Sequence, residues 1–289
     1  MKNIINYYYN IVITEFKVKE NVFTLFSNNI EYLFVPFYFD INEIINLYYL
    51  LRNYRKEVNE IMINKDNNIV TYYENQPYIL IKKIYKDNKE IELNDIINYN
   101  LTLYINNKLN WKKLWQEKVD YYEIQLRENN LEYPIIKQSF NYYIGLSECA
   151  ISLLNFVNEN NIIYSISHKR LEKKDDLYNP LNIIIDSRIR DIAEYIKKVF
   201  FNESINKEQI YEVLNKSELQ NDEAILLISR LVYPSYYFDF YEKIYTKVKK
   251  EKELYKIIKK NAEYEAFLKE FYKFIKQKYN IPVIEFLEF

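Results

Sequence analysis

The sequence predicts an α+β chain in two lobes, a small antiparallel-sheet lobe carrying one helix and a larger, mainly helical lobe. Two patterns predict it. Over roughly the first 90 residues, short apolar runs are cut by Asn- and Asp-rich turns and alternate with period two. From about residue 94 the apolar residues recur at three- and four-residue spacings. A third observation is size: 289 residues at 49% apolar composition can bury a core in each part. The expected lobes are 1–90 and 91–289, with no Pro/Ser-rich linker between them.

The elements follow in order. Val12, Thr14, Phe16 and Val18 alternate with Ile13, Glu15, Lys17 and Lys19, the pattern of a half-buried strand. Glu20-Asn21 turns the chain into a second strand, Val22 to Phe26. Asn28-Asn29 turns it into a third, Ile30 to Val35, which Pro36 ends. Asp40 with Glu43 three residues on is a capping-box-like start, and Ile44, Leu47, Tyr48 and Leu51 then fall at helical spacing. Extended runs return at 60–64, 69–73 and 78–84, with Lys65-Asp66-Asn67-Asn68 as a turn. Helical spacing then covers 94–106, 110–128, 139–159, 187–201, 206–216, 221–231 and 235–278. Two short extended pieces interrupt it. One is Ile162 to Ser167, followed by His168; the other is Leu181 to Ile185, ending at Asp186.

Composition excludes several classes of function. Forty basic and 41 acidic residues leave a net charge of −1, so no global field attracts nucleic acid or an anionic membrane. A single Gly rules out the Gly-rich phosphate cradles, which need several positions free of a Cβ. One Cys rules out an intrachain disulfide and Cys-built metal sites, and one His rules out multi-histidine sites. The N-terminus lacks an apolar signal core, and no run reaches the roughly 18 apolar residues of a membrane span, so a cytoplasmic protein is expected. Cys149 reads as a buried small hydrophobe. The abundance of Asn, Ile, Lys and Tyr reads as the drift of an AT-rich genome.

Several stretches together carry a family resemblance. They are Tyr142-Tyr143-Ile144-Gly145-Leu146-Ser147-Glu148-Cys149-Ala150-Ile151, His168-Lys169-Arg170, Ile184-Ile185-Asp186 and Arg190-Asp191-Ile192-Ala193-Glu194-Tyr195. Further on stand Ser229-Arg230-Leu231-Val232-Tyr233-Pro234-Ser235-Tyr236-Tyr237-Phe238-Asp239 and Ile281-Pro282-Val283-Ile284-Glu285-Phe286-Leu287. This ordered set resembles the kinase-like spore coat proteins of endospore-forming bacteria, the CotS/YutH type, within the aminoglycoside and choline kinase-like group. The resemblance spans most of residues 140–289, while the first 90 match in layout alone. It implies a bilobal protein-kinase-like fold and a structural or assembly role in the spore coat. The protein would be made in the mother-cell cytoplasm and docked on the forespore surface, with other coat proteins as partners. Gly145, the one Gly, lies in the first motif, where a Cβ is expected to obstruct helix packing.

The chemistry of a phosphotransferase is poorly represented. Such an enzyme needs cover for the phosphates, a Lys to pair with them, a carboxylate to orient the attacking hydroxyl and side chains to hold Mg²⁺. Residues 1–95 contain no Gly, and the third strand contains no Lys; Lys17 and Lys19 on the first strand read as a solvated face. Where the active members of the group carry the loop Asp, this chain has Arg170, which cannot accept a proton. No clear counterpart of the loop Asn follows Arg170: Lys174 stands four residues past it, with Asp175, Asp176 and Asn179 further on. Asp186 alone resembles the metal-binding Asp, and it reads equally as an N-cap for a helix from Arg188. His168 reads as a packing residue, and Arg190 with Asp191 as a structural polar link. The cleft positions His168, Arg170 and Asp186 are therefore expected to be degenerate, with no cofactor and no metal. The rival expectation is an atypical phosphotransferase that uses Asp186 for Mg-ATP and Asp175 or Asp176 as base. A third is a helical interaction module unrelated to sporulation.

Two stretches could carry binding. The Lys-rich segment Lys243 to Lys278 holds Tyr245, Val248, Tyr255, Ile258, Phe267, Phe271 and Phe274 at mostly helical spacing. It reads as helices with Lys facing outward, or as a basic surface for acidic partners or a membrane. Tyr233 to Tyr241 reads as core or as an aromatic contact patch. The pairs Asp175-Asp176 and Glu263 with Glu265 read as solvated.

Overall fold

The computed structural model describes residues 1–19, 21–38, 40–104, 109–128, 133–202 and 206–288. The chain divides into two compact units. The first is Met1–Tyr99 with His168–Ile184, and the second is Asn100–Ser167 with Ile185–Phe289. The sequence led us to expect one boundary near residue 90. The chain instead re-enters the first unit at His168.

In the first unit, α1 (Lys2–Tyr9) precedes β1 (Glu15–Lys19), β2 (Val22–Ser27) and β3 (Ile30–Pro36). Then come α2 (Ile41–Asn53), β4 (Glu60–Ile61), β5 (Val70–Tyr73), β6 (Gln76–Lys82) and α3 (Leu93–Tyr99). The sheet is antiparallel in the order β1-β2-β3-β6-β4, with β5 also paired to β6. Its core is Leu25, Tyr32, Phe34, Tyr78 and Leu80, joined by Ile13 and by Ile5 of α1. Phe34 and Tyr78 stack at 4.5 Å across β3 and β6. The side chain of Asp40 caps α2 by accepting from the Asn42 N–H at 2.8 Å.

Three expectations need correction here. α1 carried no sequence signal, because Ile5 is its one buried residue. β1 forms where expected, but as an edge strand it is exposed on both faces, with Phe16 at 46% and Val18 at 53% exposure. The abundant Asn is not idle drift. Asn28 and Asn29 have φ of 48° and 63° and form the two-residue turn between β2 and β3; Glu74 and Asn75, at 50° and 61°, do the same between β5 and β6. Hairpin turns of this kind demand positive φ at both residues, and Asn tolerates it better than any other residue with a side chain. Asn10, Asn21 and Asn67 also hold positive φ. Glu20 of the first expected turn, and residues 105–106 of the first expected large-lobe helix, lie outside the described residues.

The second unit contains β7 (Thr102–Leu103), α4 (Trp111–Glu128) and α5 (Pro134–Leu153), followed by all but the last residue of β8 (Tyr164–His168) and the last three residues of β9 (Ile183–Ser187). Then come α6 (Arg190–Asn202), α7 (Lys207–Lys216), α8 (Asn221–Val232), α9 (Ser235–Tyr245), α10 (Tyr255–Ile258), α11 (Asn261–Lys276) and α12 (Glu285–Glu288). The three strands lie in the order β7-β8-β9. α8 is the central helix, buried from Glu223 to Val232, and α5 and α6 pack against it. Tyr233, Tyr237, Phe238 and Tyr241 are buried, so the aromatic stretch around Pro234 is core. Cys149 is half-buried rather than buried, and partial burial pushes its thiol pKa up.

Gly145 overturns another expectation. It is exposed on α5, and a Cβ built there would meet no atom within 4 Å. Close packing does not explain it. Gly145→Ala should therefore stabilise the chain by about 0.5–1 kcal/mol, because Gly in a helix interior carries that penalty relative to Ala. The urea midpoint should rise.

Candidate functional site

The residues singled out by sequence fall in two places. His168, Arg170, Asp175 and Asp176 belong to the segment that rejoins the first unit, and Asp186, Arg190 and Asp191 belong to the second.

In the first unit, residues 168–184 are bound by their own polar side chains. Asp175 pairs with Lys83, and its Oδ1 accepts from the Asp87 N–H at 2.5 Å. Lys83 also reaches Glu31 at 3.3 Å. Burial works against the charge on Lys83, but Asp175 and Glu31 outweigh it and raise its pKa. Asp176 Oδ2 accepts from the N–H groups of Glu172 and Lys173 at 2.8 and 2.9 Å. The expectation that this carboxylate pair is solvated is therefore wrong: each Asp closes a backbone turn or an ion pair. Lys174 pairs with Asp95 at 2.8 Å, and the Asn59 N–H donates to the Tyr178 carbonyl at 2.8 Å. Asn179 accepts from the Leu181 N–H at 3.1 Å.

Arg170 is exposed, and its backbone is held by Asn182. The Arg170 N–H donates to Asn182 Oδ1 at 3.1 Å, and Asn182 Nδ2 donates to the Arg170 carbonyl at 2.6 Å. The sequence reading missed Asn182; its position just after Asn179-Pro180 was the available signal. His168 is buried, with its ring 5.5 Å from that of Tyr99. An aromatic packing position suits the structural reading of this His.

In the second unit, Asp186 is the centre of a buried charge cluster. It lies in β9 and is 3% exposed, so it does not cap α6, which begins at Arg190. Its Oδ1 accepts from Trp111 Nε1 at 3.0 Å, from the Ser187 N–H at 2.6 Å and from Arg230 Nη2 at 2.5 Å. Its Oδ2 accepts from Arg190 Nη1 at 3.0 Å. Burial opposes the charged carboxylate, but the guanidiniums of Arg230 and Arg190 prevail and hold its pKa below the usual range. Arg230 lies over the rings of Trp111 and Trp115, at 5.7 and 5.9 Å from their centroids.

The ionic framework extends along α6. Lys197, buried, donates to Glu194 Oε1 at 2.7 Å, to the Arg230 carbonyl at 3.1 Å and to Ser235 Oγ at 2.5 Å. Burial lowers its pKa although Glu194 opposes the shift. Arg188 makes a two-pronged pair with Glu223 at 2.8 and 2.7 Å. Asp191 is buried in the first turn of α6. Trp111 and Glu223 were not legible as members of this cluster, because their partners lie 75 and 35 residues away along the chain. Lys197 has a local signal in Glu194 three residues before it, but its bonds to Arg230 and Ser235 span 33 and 38 residues. Glu265 was expected to be solvated; it accepts from the Tyr142 hydroxyl at 2.5 Å. Among the described residues, no group of three or more His, Cys, Asp or Glu side chains could hold a metal ion. None of their helices is long and apolar enough to cross a membrane.

A sheet unit followed by a helical unit, with His168 ending one short strand and Asp186 near the end of the next, defines the class of kinase-like phosphotransferase folds. Solved structures agree. An aminoglycoside phosphotransferase from Alicyclobacillus acidocaldarius is similar with a TM-score of 0.67, over 96% of each chain at 9% identity. A spectinomycin phosphotransferase in complex with ADP and spectinomycin matches with a TM-score of 0.56, over 96% of this chain and 93% of that one at 13% identity. At these identities the likeness concerns the fold alone.

Sequence narrows the class. The family model "Spore coat putative kinase YutH" matches residues 2–271, and the chain belongs to that family. The endospore coat-associated protein YutH of Bacillus subtilis is 27% identical over 206 residues, 61% of this chain. The match likewise spans 61% of the length of that relative.

Proposed function

We propose that this chain is a catalytically degenerate, kinase-like structural or assembly component of the bacterial spore coat, with other coat proteins as its partners. Family membership and the coat-associated relative support the setting. The observation that carries the degenerate half is the occupation of Asp186. Both carboxylate oxygens accept hydrogen bonds from arginines, and Oδ1 accepts from Trp111 as well. A metal ligand must offer a lone pair toward an ion, and two adjacent guanidiniums would repel that ion. Arg170 stands at the position of a loop carboxylate, and Asp175 is bound to Lys83 and a backbone N–H. The rival phosphotransferase would have to release Asp186 from Arg190 and Arg230 before it could hold Mg-ATP. The reading as a helical module unrelated to sporulation loses its ground in a chain of this family.

Thermal melting with and without millimolar Mg-ATP tests the degenerate half. A ligand at 100 times its Kd stabilises a fold by about 2.7 kcal/mol, which moves the melting point by several degrees. The expected result is no shift; a Mg²⁺-dependent shift would restore the phosphotransferase. A fluorescent fusion followed through sporulation tests the coat half. Signal at the spore periphery is expected, and a diffuse signal throughout would overturn it.

A further inference from the structure

The near-neutral charge of the chain conceals a local excess. Between Lys243 and Lys252 stand five lysines and one acid, Glu251. That acid is already engaged, because it accepts from the Ile135 and Ile136 N–H groups at 2.7 and 3.0 Å at the start of α5. Just beyond, Glu253 is shared between Lys249 at 3.2 Å and the Lys250 N–H at 3.1 Å. Lys247, Lys250 and Lys252 are all exposed.

The backbone that presents them is tightly closed. After α9, the Thr246 N–H donates to the Glu242 carbonyl and the Lys247 N–H to that of Ile244, both at 2.9 Å. The N–H groups of Val248 and Lys249 both donate to the Lys243 carbonyl, at 2.8 and 2.9 Å. Lys247 takes a φ of 62°, the left-handed geometry that ends a helix. The result is a hydrogen-bonded knob with Val248 68% exposed, and with Tyr245 and Tyr255 exposed at 36% and 45%. These three residues were expected on the apolar side of a helix, and the structure places them outside.

An aliphatic residue ringed by lysines and flanked by tyrosines matches the chemistry of an anionic membrane surface. Lysines meet the headgroup phosphates, Tyr rings suit the interfacial layer and a single valine can enter the acyl boundary. An acidic protein segment would satisfy the lysines but would leave Val248 without a role. We propose that this knob, residues 243–256, docks the protein peripherally on an anionic lipid bilayer.

Co-sedimentation of the full chain with phosphatidylglycerol/phosphatidylcholine vesicles, beside pure phosphatidylcholine vesicles, tests it. Binding is expected for the anionic vesicles alone and should weaken with salt. Lys247→Gln with Lys252→Gln should weaken it about 25-fold, at roughly a factor of five per lysine. Val248→Asn, which leaves the charge unchanged, should weaken it about tenfold. In Val248→Trp the new indole emission should shift to the blue on adding anionic vesicles. All three positions are exposed, and unchanged melting points will show that the variants fold. Absence of binding, binding equal on neutral vesicles, or binding indifferent to Val248 would overturn the proposal. Equal capture by polyglutamate without any Val248 dependence would also overturn it and assign the lysines to an acidic protein.

Discussion

Asp186→Asn should lower the stability of the fold by about 3–5 kcal/mol, read as a fall in the urea midpoint at neutral pH. The substitution keeps the volume and removes the charge. Arg230, 3% exposed, then keeps a buried guanidinium whose ion-pair partner is gone, with Glu194 acting on it only as a neighbouring charge, and Arg190 loses the carboxylate it shares with Arg230. Breaking one side of a buried pair is costly because the remaining charge cannot reach water. A carboxylate held ready for a metal behaves in the opposite way, since its neutralisation relieves repulsion and costs little or even stabilises. A loss below about 1 kcal/mol would therefore sink the structural assignment of Asp186. Combining Asp186→Leu with Arg230→Met should recover part of the loss, since apolar pairs often replace buried ion pairs without penalty.

The same cluster fixes a pH dependence. The folded pKa of Asp186 lies below its ordinary value of 3.8, so the unfolded chain takes up the proton first as pH falls. The stabilisation from this carboxylate is fully present above about pH 4–5 and is lost as pH falls through the depressed folded value. The advantage of the wild-type chain over Asp186→Asn should be complete at pH 7 and should shrink below about pH 4.

Local structure was legible wherever neighbours in sequence decide it. The Asn28-Asn29 turn follows from the residue type that tolerates positive φ, and the cap of α2 from Asp40 alone. Assignments that depend on distant partners failed. Asp186 reads locally as a helix cap or a metal ligand, because its partners Trp111 and Arg230 lie 75 and 44 residues away. Asp175 reads as solvated because Lys83 lies 92 residues away. The edge position of β1 is invisible to a period-two pattern, which reports alternation and not which faces are covered. Gly145 misled for a different reason. Its rarity in the chain suggested a packing need, and the space around it shows none.

The stretch that holds Gly145 also contains Tyr143, and there the expected effect is large. Tyr143 is fully buried on α5, and its ring stacks on that of Tyr237 of α9 at 3.6 Å and 17°. Its hydroxyl donates to Asn261 Oδ1, at the start of α11, at 2.8 Å. One side chain thus ties three helices. Tyr143→Ala should cost about 3–5 kcal/mol through lost burial and an incompletely collapsed cavity. Tyr143→Phe keeps the stack and removes one hydrogen bond. Asn261 is half-buried and can turn to water, so this loss should be near 1 kcal/mol. The difference between the two variants isolates the ring from the hydroxyl. Equal losses would mean that the bond to Asn261, and not the stack on Tyr237, holds α5 in place. A loss below about 1 kcal/mol for Tyr143→Ala would mean that the aromatic motif does not serve packing, and a ligand for it would then have to be sought.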